Sequence, residues 1–301
     1  MTRTMTKTIL AITVALAMGA ATPAKADPIA FDYAGAGCGG GTGTGTCISL
    51  IQFDWLSGNT LLIEDGLGGG TVWFQANLNS LVDSPNIANG TGGNWFTATA
   101  QFDVTLNPDG TFSVDSGTFD IWHNTTGPAD DTAGTGFTAG TSIVTGTVDF
   151  GFGNATFVPQ FGTFNLDENG TNEYPGYLTW FGTGSSNIFF DITSRDINFF
   201  PTLVPGSSIS FTATNLNDPY TDVNPSALFF DGTTGVSPDL CGPGGVANCI
   251  NGSGNSIMAQ ADANTTFRNF TSSEVPEPAS LVLLGTGLVG LARARRSRKA
   301  A

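Results

Sequence analysis

One imidazole is available in the whole chain, that of His123, so any acid–base or nucleophile-activating chemistry that needs histidine rests on a single ring. His123 closes the alternating run Phe119 to His123 near the end of an expected strand, where a structural polar residue is the plain reading. There is no second histidine to complete a His-x-x-x-His zinc pair, and neither a Gly-x-Ser-x-Gly elbow nor a Gly-x-x-x-x-Gly-Lys phosphate loop occurs. Paired carboxylates could hydrolyse glycosidic bonds. The acidic residues are scattered too widely for such a pair to be picked out, and their default role is solvated surface. Oxygen-rich turns make calcium the more credible ligand. Asp167, Asn169 and Glu173 surround Gly170, and Asn217, Asp218, Asp222 and Asn224 offer a second such loop, though neither has full EF-hand spacing. No other cofactor is expected.

The four cysteines lie in two glycine-rich stretches, Cys38 to Cys47 and Cys241 to Cys249. In an oxidising compartment an even count reads as disulfides. The intervening glycines favour the local pairs, 38 with 47 and 241 with 249; the alternative joins the two stretches and ties the ends of the body together. A zinc site made from all four lacks the usual C-x-x-C pairs.

The elements that must position these groups are strands. From Phe96 to Leu106, apolar residues at 96, 98, 100, 102, 104 and 106 alternate with threonines, Gln101 and Asp103, the signature of a half-buried antiparallel strand. Asn107-Pro108-Asp109-Gly110 then supplies a turn, and Phe112 and Val114 resume the alternation, so a hairpin is expected. Similar patterns occur at Ile51/Phe53/Trp55, Val72/Phe74/Ala76/Leu78, Phe119/Ile121, Val148/Phe150/Phe152, Ile188/Phe190/Ile192 and Ile209/Phe211/Ala213. No convincing amphipathic helix interrupts them. The expectation is an all-β, antiparallel β-sandwich, jelly-roll-like in one version, over residues 27–274.

Charge divides the 301 residues differently. Eight of the ten basic residues sit at the two ends, while between Asp27 and Val275 only Arg195 and Arg268 face 24 carboxylates. Such a body cannot neutralise a phosphate backbone, which excludes nucleic-acid binding. Gly and Pro are abundant, but 23 Phe and 5 Trp supply ample core, so the chain folds.

Residues 1–26 carry Arg3 and Lys7, then an apolar run from Ile9 to Ala21, then Ala24-Lys25-Ala26, the three zones of a secretory signal peptide with cleavage by signal peptidase expected before Asp27. The other end, 275–299, reads Val275-Pro276-Glu277-Pro278, an apolar stretch over 279–292, and an arginine-rich tail. As a helix those fourteen residues span about 21 Å, against a hydrocarbon core of ~30 Å. The segment is thus suited to transient membrane insertion, with its basic tail held in the cytoplasm.

These three parts in this order resemble the PEP-CTERM sorting signal of Gram-negative bacteria. The resemblance implies that Pro276, Glu277 and Pro278 are the sorting motif recognised by an exosortase. It also implies that the chain is exported across the inner membrane, and that it ends at the cell surface or in the extracellular matrix. Asp191 to Pro201 (DITSRDINFFP), Val223 to Ser226 and Ala259 to Phe267 are similar to the C-terminal part of flocculation-associated PEP-CTERM proteins. That likeness implies a non-catalytic envelope or matrix protein contributing to cell aggregation in exopolysaccharide. The alternative is a carbohydrate-binding module for envelope polysaccharide, assisted by calcium and using tryptophans such as Trp73, Trp95, Trp122 or Trp180 as stacking platforms.

Overall fold

A computed structural model of the chain describes residues 28–39, 45–56, 58–83, 85–159, 180–204, 208–217, 228–233 and 256–268. Its strands are β1 (Ile29–Asp32), β2 (Cys47–Leu50), β3 (Gln52–Trp55), β4 (Gly58–Glu64), β5 (Gly69–Val82), β6 (Ile87–Ala88), β7 (Trp95–Leu106), β8 (Thr111–Asn124), β9 (Thr141–Pro159), β10 (Trp180–Arg195), β11 (Ser208–Asn217) and β12 (Ser256–Arg268). The only helical element among the described residues is a single 3-10 turn at Thr91–Gly93. The all-β, antiparallel architecture expected from the alternation is the one the chain adopts.

Instead of stacking as two layers, the main sheet closes on itself. Neighbours run β5–β7–β8–β9–β10–β11–β12, and β12 returns to β3 and β4, which pair in turn with β5. β3 and β4 follow one another along the same two neighbours, so they form one stave broken by an irregularity at Asp54/Trp55, and β6 is a short appendage of β5. The result is an eight-stave up-and-down barrel. A ring of eight strands encloses a space that side chains can fill. Alternating sequence cannot separate this solution from a sandwich, because both bury every second residue. Closure depends on pairings such as Phe53 with Thr265, which are remote in the chain.

The inner face is apolar. Val72, Phe74, Ala76 and Leu78 of β5 face Phe96, Ala98, Ala100 and Phe102 of β7 across the lumen lining, and Phe119, Ile121, Ile188 and Phe190 continue the ring. Among the described side chains the outer face carries mostly Thr, Ser, Asp and Asn.

One mouth is plugged. The β1–β2 hairpin and the loop over 196–204 fold across it, placing Phe31, Phe199 and Phe200 among Phe53, Phe96 and Phe267 of the staves. Two hydrogen bonds join the hairpin to the loop, Asp32 N–H to the Phe199 carbonyl at 2.9 Å and Ala30 N–H to the Thr202 side-chain Oγ1 at 3.1 Å. Cys38 and Cys47 are joined by a disulfide that closes the hairpin loop; Cys241 and Cys249 lie outside the described residues. For cysteines nine positions apart in the chain the chain-entropy account gives roughly 2–3 kcal/mol. Reduction, or Cys38→Ser, therefore lowers the unfolding free energy by that amount while leaving the barrel folded, measurable as a lower urea midpoint in matched denaturant melts.

Some outward-facing polar residues of β5 and β7 are buried because loops cover them. Asn77 donates to the Ala129 carbonyl and accepts the Ala129 N–H, both at 3.0 Å. Thr97 Oγ1 donates to the Phe137 carbonyl at 2.6 Å, and Gln75 Nε2 to the Leu228 carbonyl at 2.7 Å. Side-chain amides and hydroxyls there replace the water that the loop carbonyls lose.

Candidate functional site

At the mouth opposite the plug the β4–β5 turn and the neighbouring staves form an open outer groove of about 530 Å³, lined by Glu64, Asp65, Trp73, Asp103, Thr105 and Asp115 among others. The turn is set by Asp65, whose Oδ1 accepts the N–H groups of Leu67 at 2.6 Å and Gly69 at 3.0 Å. Gly66, with φ of 74°, takes the left-handed conformation that this tight connection needs. Asp103 and Asp115 are held by hydroxyls of adjacent strands. Thr71 Oγ1 and Ser116 Oγ each donate to Asp103 at 2.9 Å, and Thr105 Oγ1 donates to Asp115 at 2.7 Å. The groove thus presents fixed carboxylate acceptors, a surface suited to hydroxyl-rich ligands.

Trp73 is not an open platform. It is 9 % exposed, too little to seat a sugar ring, and its Nε1 donates to Asp231 Oδ2 at 2.8 Å. Burial pushes the Asp231 carboxyl up. Hydrogen bonds from Thr233 and Trp73 outweigh that and hold it below the usual carboxylate range. Trp122 is half-buried and donates to Thr99 Oγ1 at 2.9 Å; Trp95 is half-buried, and the Trp180 side chain lies outside the described residues.

The exposed aromatics are instead Phe150 and Phe152, which alternation would have turned inward with Val148. An irregularity in the β9–β10 pairing sets Phe189 opposite Phe150 but Phe190 opposite Val148, leaving Asp149 as the extra residue. That one-residue step reverses the face, so Gly151 and Gly153 point inward. A Cβ at Gly153 would stand 2.2 Å from Phe112, which shows how closely the lumen is filled there. Phe150 stacks on Phe189 at 4.3 Å on the outside.

His123 points into the plugged mouth. Its ring lies 4.7 Å from Phe199 and 5.2 Å from Phe96, and Nε2 meets Asn94 Oδ1 at 2.9 Å, which requires the Nε2–H tautomer. Burial lowers its pKa, and the attraction of Asp196 offsets this only in part. The folded ring therefore protonates below the unfolded value near ~6.5. As pH falls through that value the unfolded chain takes up the proton first, so stability falls until the folded ring also protonates. His123→Gln flattens the stability profile between about pH 7.5 and 5.5 relative to the native chain, read from urea midpoints.

The calcium candidates Asp167, Asn169 and Glu173 and the sorting residues Pro276, Glu277 and Pro278 lie outside the described residues. Asn217 ends β11, and Asp218, Asp222 and Asn224 are outside them. Among the described residues no group of three or more His, Cys, Asp or Glu side chains is placed to hold a metal ion, and no helix is long and apolar enough to cross a membrane.

Comparison with known proteins gives one match. Residues 274–297 match the family described as the PEP-CTERM protein-sorting motif. No curated protein and no solved structure matches the chain. The motif marks an exported protein that is sorted to the cell surface and processed by an exosortase.

Proposed function

We propose that the chain is a non-catalytic envelope or matrix protein whose barrel, delivered through exosortase processing, contributes to cell aggregation in exopolysaccharide. The observation that carries this reading is the sorting motif at residues 274–297 behind an acidic body. The likeness of residues 191–201 and 259–267 to flocculation-associated proteins supports it. The site chemistry points the same way. His123 is held between phenylalanine rings, and Asp103 and Asp115 each accept hydrogen bonds from hydroxyls of their own sheet. Deleting the gene in its host should abolish or sharply reduce floc formation, with recovery on complementation. Unchanged flocs and matrix composition would end the proposal.

An acidic body repels its own copies, and calcium relieves this in two ways, by screening and by bridging carboxylates on neighbouring molecules or acidic polysaccharide. Calcium on the order of 1 mM, typical of weak extracellular sites, therefore raises light scattering of the mature protein several-fold over sodium at matched ionic strength. Equal responses would leave screening as sufficient.

A second reading, a carbohydrate-binding module, is favoured by the groove of about 530 Å³ with its fixed carboxylates. Glycan-array binding that is lost in Asp103→Asn, with the melting profile unchanged, would select it over the first.

A further inference from the structure

We propose that Phe150, Phe152 and Phe189, on the outer wall of β9 and β10, form a stacking platform for an uncharged polysaccharide chain, set beside the groove whose carboxylates accept its hydroxyls. This deepens the carbohydrate-binding reading and rests on it.

The rings make one patch. Phe150 is 48 % and Phe152 56 % exposed, and Phe150 stacks on half-buried Phe189 with planes 20° apart. Phe152 follows two positions along β9, on the same face and about 7 Å further on. The backbone keeps both rings outside. Between and beyond them Gly151 and Gly153 turn inward, where an added Cβ would stand 2.9 Å from Val114 and 2.2 Å from Phe112.

The surroundings select the ligand. Ser113 of β8 and Asn187 of β10 stand opposite Phe152 on its two sides. Asn154 and Ser185 form the next cross-strand pair, joined by a hydrogen bond from Asn154 Nδ2 to Ser185 Oγ at 3.4 Å. Next to Phe150 and Phe189, at the other end of the patch, are the exposed carboxylates Asp149 and Asp191. An apolar plate rimmed by hydroxyls, amides and carboxylates suits a pyranose, whose C–H face packs on the electron-rich faces of the rings while its edge hydroxyls reach the rim. No cation stands among these residues, so an anionic leaflet or an acidic polysaccharide is repelled.

A second copy of the chain suits the patch less well. The two exposed rings offer on the order of 200 Å², against ~800 Å² per partner in a stable interface. Each copy also brings 24 carboxylates and two arginines between Asp27 and Val275. The groove, by contrast, adjoins the rings. Ser113, opposite Phe152, donates to Asp115 Oδ1 at 3.2 Å, and Asp115 lines the groove. The rings on β9 are therefore one strand spacing, ~4.8 Å, from the groove wall on β8. A sugar chain lying across the strands meets both.

The test uses mature protein purified from its host and oligosaccharides cut from the host's own exopolysaccharide, separated into neutral and carboxylate-bearing fractions, with binding measured by calorimetry in the absence of calcium. The native protein should bind the neutral fraction. Phe150→Ser and Phe152→Ser should each weaken binding about tenfold, the double variant should remove it, and Phe152→Trp, which keeps an aromatic face, should retain it. Urea midpoints check the fold, and Phe152→Ser decides alone if loss of the Phe150 stack disturbs it. Unchanged binding in the serine variants overturns the platform, and if Asp103→Asn abolishes that binding the groove reading stands without it. Binding confined to the carboxylate-bearing fraction also overturns the proposal, as does self-association that the serine variants abolish, seen by sedimentation without any sugar binding. Native protein that binds neither fraction brings down the carbohydrate reading and the platform together.

Discussion

Replacing Phe53 by alanine lowers the unfolding free energy by about 3–5 kcal/mol, the range for truncating a fully buried aromatic in a core that cannot collapse around the gap. Phe53 is fully buried and belongs to both parts of the structure. It stacks on Trp55 within its own stave at 5.3 Å and meets Phe267 of the adjacent stave at 5.7 Å. It also touches Phe31 of the hairpin plug at 5.3 Å and Phe200 of the covering loop at 6.3 Å. The walls around it are β-strands locked by ladder hydrogen bonds, so little relaxation into the cavity is available. Against a domain stability of ~5–15 kcal/mol the loss is large enough to populate unfolded protein at moderate temperature. Phe53→Leu, which keeps most of the volume, should cost only about 1–2 kcal/mol. Urea melts of the two variants decide the matter. A loss below about 1 kcal/mol for the alanine variant would mean that the plug does not seat against this ring.

Much of this arrangement was legible in the order of residues, and the reasons for the remainder are physical. The alternation from Phe96 to Leu106 is β7, and Asn107 to Gly110 is the turn that joins it to β8, because period-two burial and turn chemistry are both local. Barrel closure was not legible, since it rests on the pairing of β12 with β3 and β4, which are about 200 positions away and carry no local mark. The outward turn of Phe150 and Phe152 escaped for a related reason. A single extra residue, Asp149, reverses the face of the positions from Phe150 to Gly153, and the sequence around it looks like uninterrupted alternation. Buried polar positions such as Asn77 and Thr97 read as solvent-facing threonine and asparagine until the loops over 129–137 are seen to cover them. The groove at the β4–β5 turn was signalled only by its Asp65-Gly66 dipeptide. Its other carboxylates, Asp103 and Asp115, come from different strands and meet through register alone.

Replacing Pro276, Glu277 and Pro278 by alanine leaves export intact and causes unprocessed precursor to accumulate in the membrane. The N-terminal signal is untouched, so translocation proceeds. The C-terminal apolar stretch over 279–292 is also unchanged and still enters the bilayer, with the arginines from Arg293 onward retaining it by their cytoplasmic side. What changes is the stretch that a processing enzyme must grip. The two prolines fix φ near −65° at their own positions and disfavour helix at Val275 and Glu277, which keeps this approach extended. Alanine removes that restraint, and with the strongest helix propensity of any residue it lets the apolar helix grow backward toward the barrel. It also deletes the carboxylate of Glu277, the one charge in the Pro276-Glu277-Pro278 tripeptide. The expected result is near-complete loss of the mature form, with a precursor whose mass exceeds it by the C-terminal segment, seen by immunoblot and intact-mass measurement. Glu277→Gln separates the two contributions. Retained processing in that variant would assign recognition to the extended backbone, and loss would assign it to the carboxylate. An unchanged mature mass in the triple alanine chain would show that hydrophobicity alone directs processing, and the motif at 274–297 would then have no part in sorting this protein.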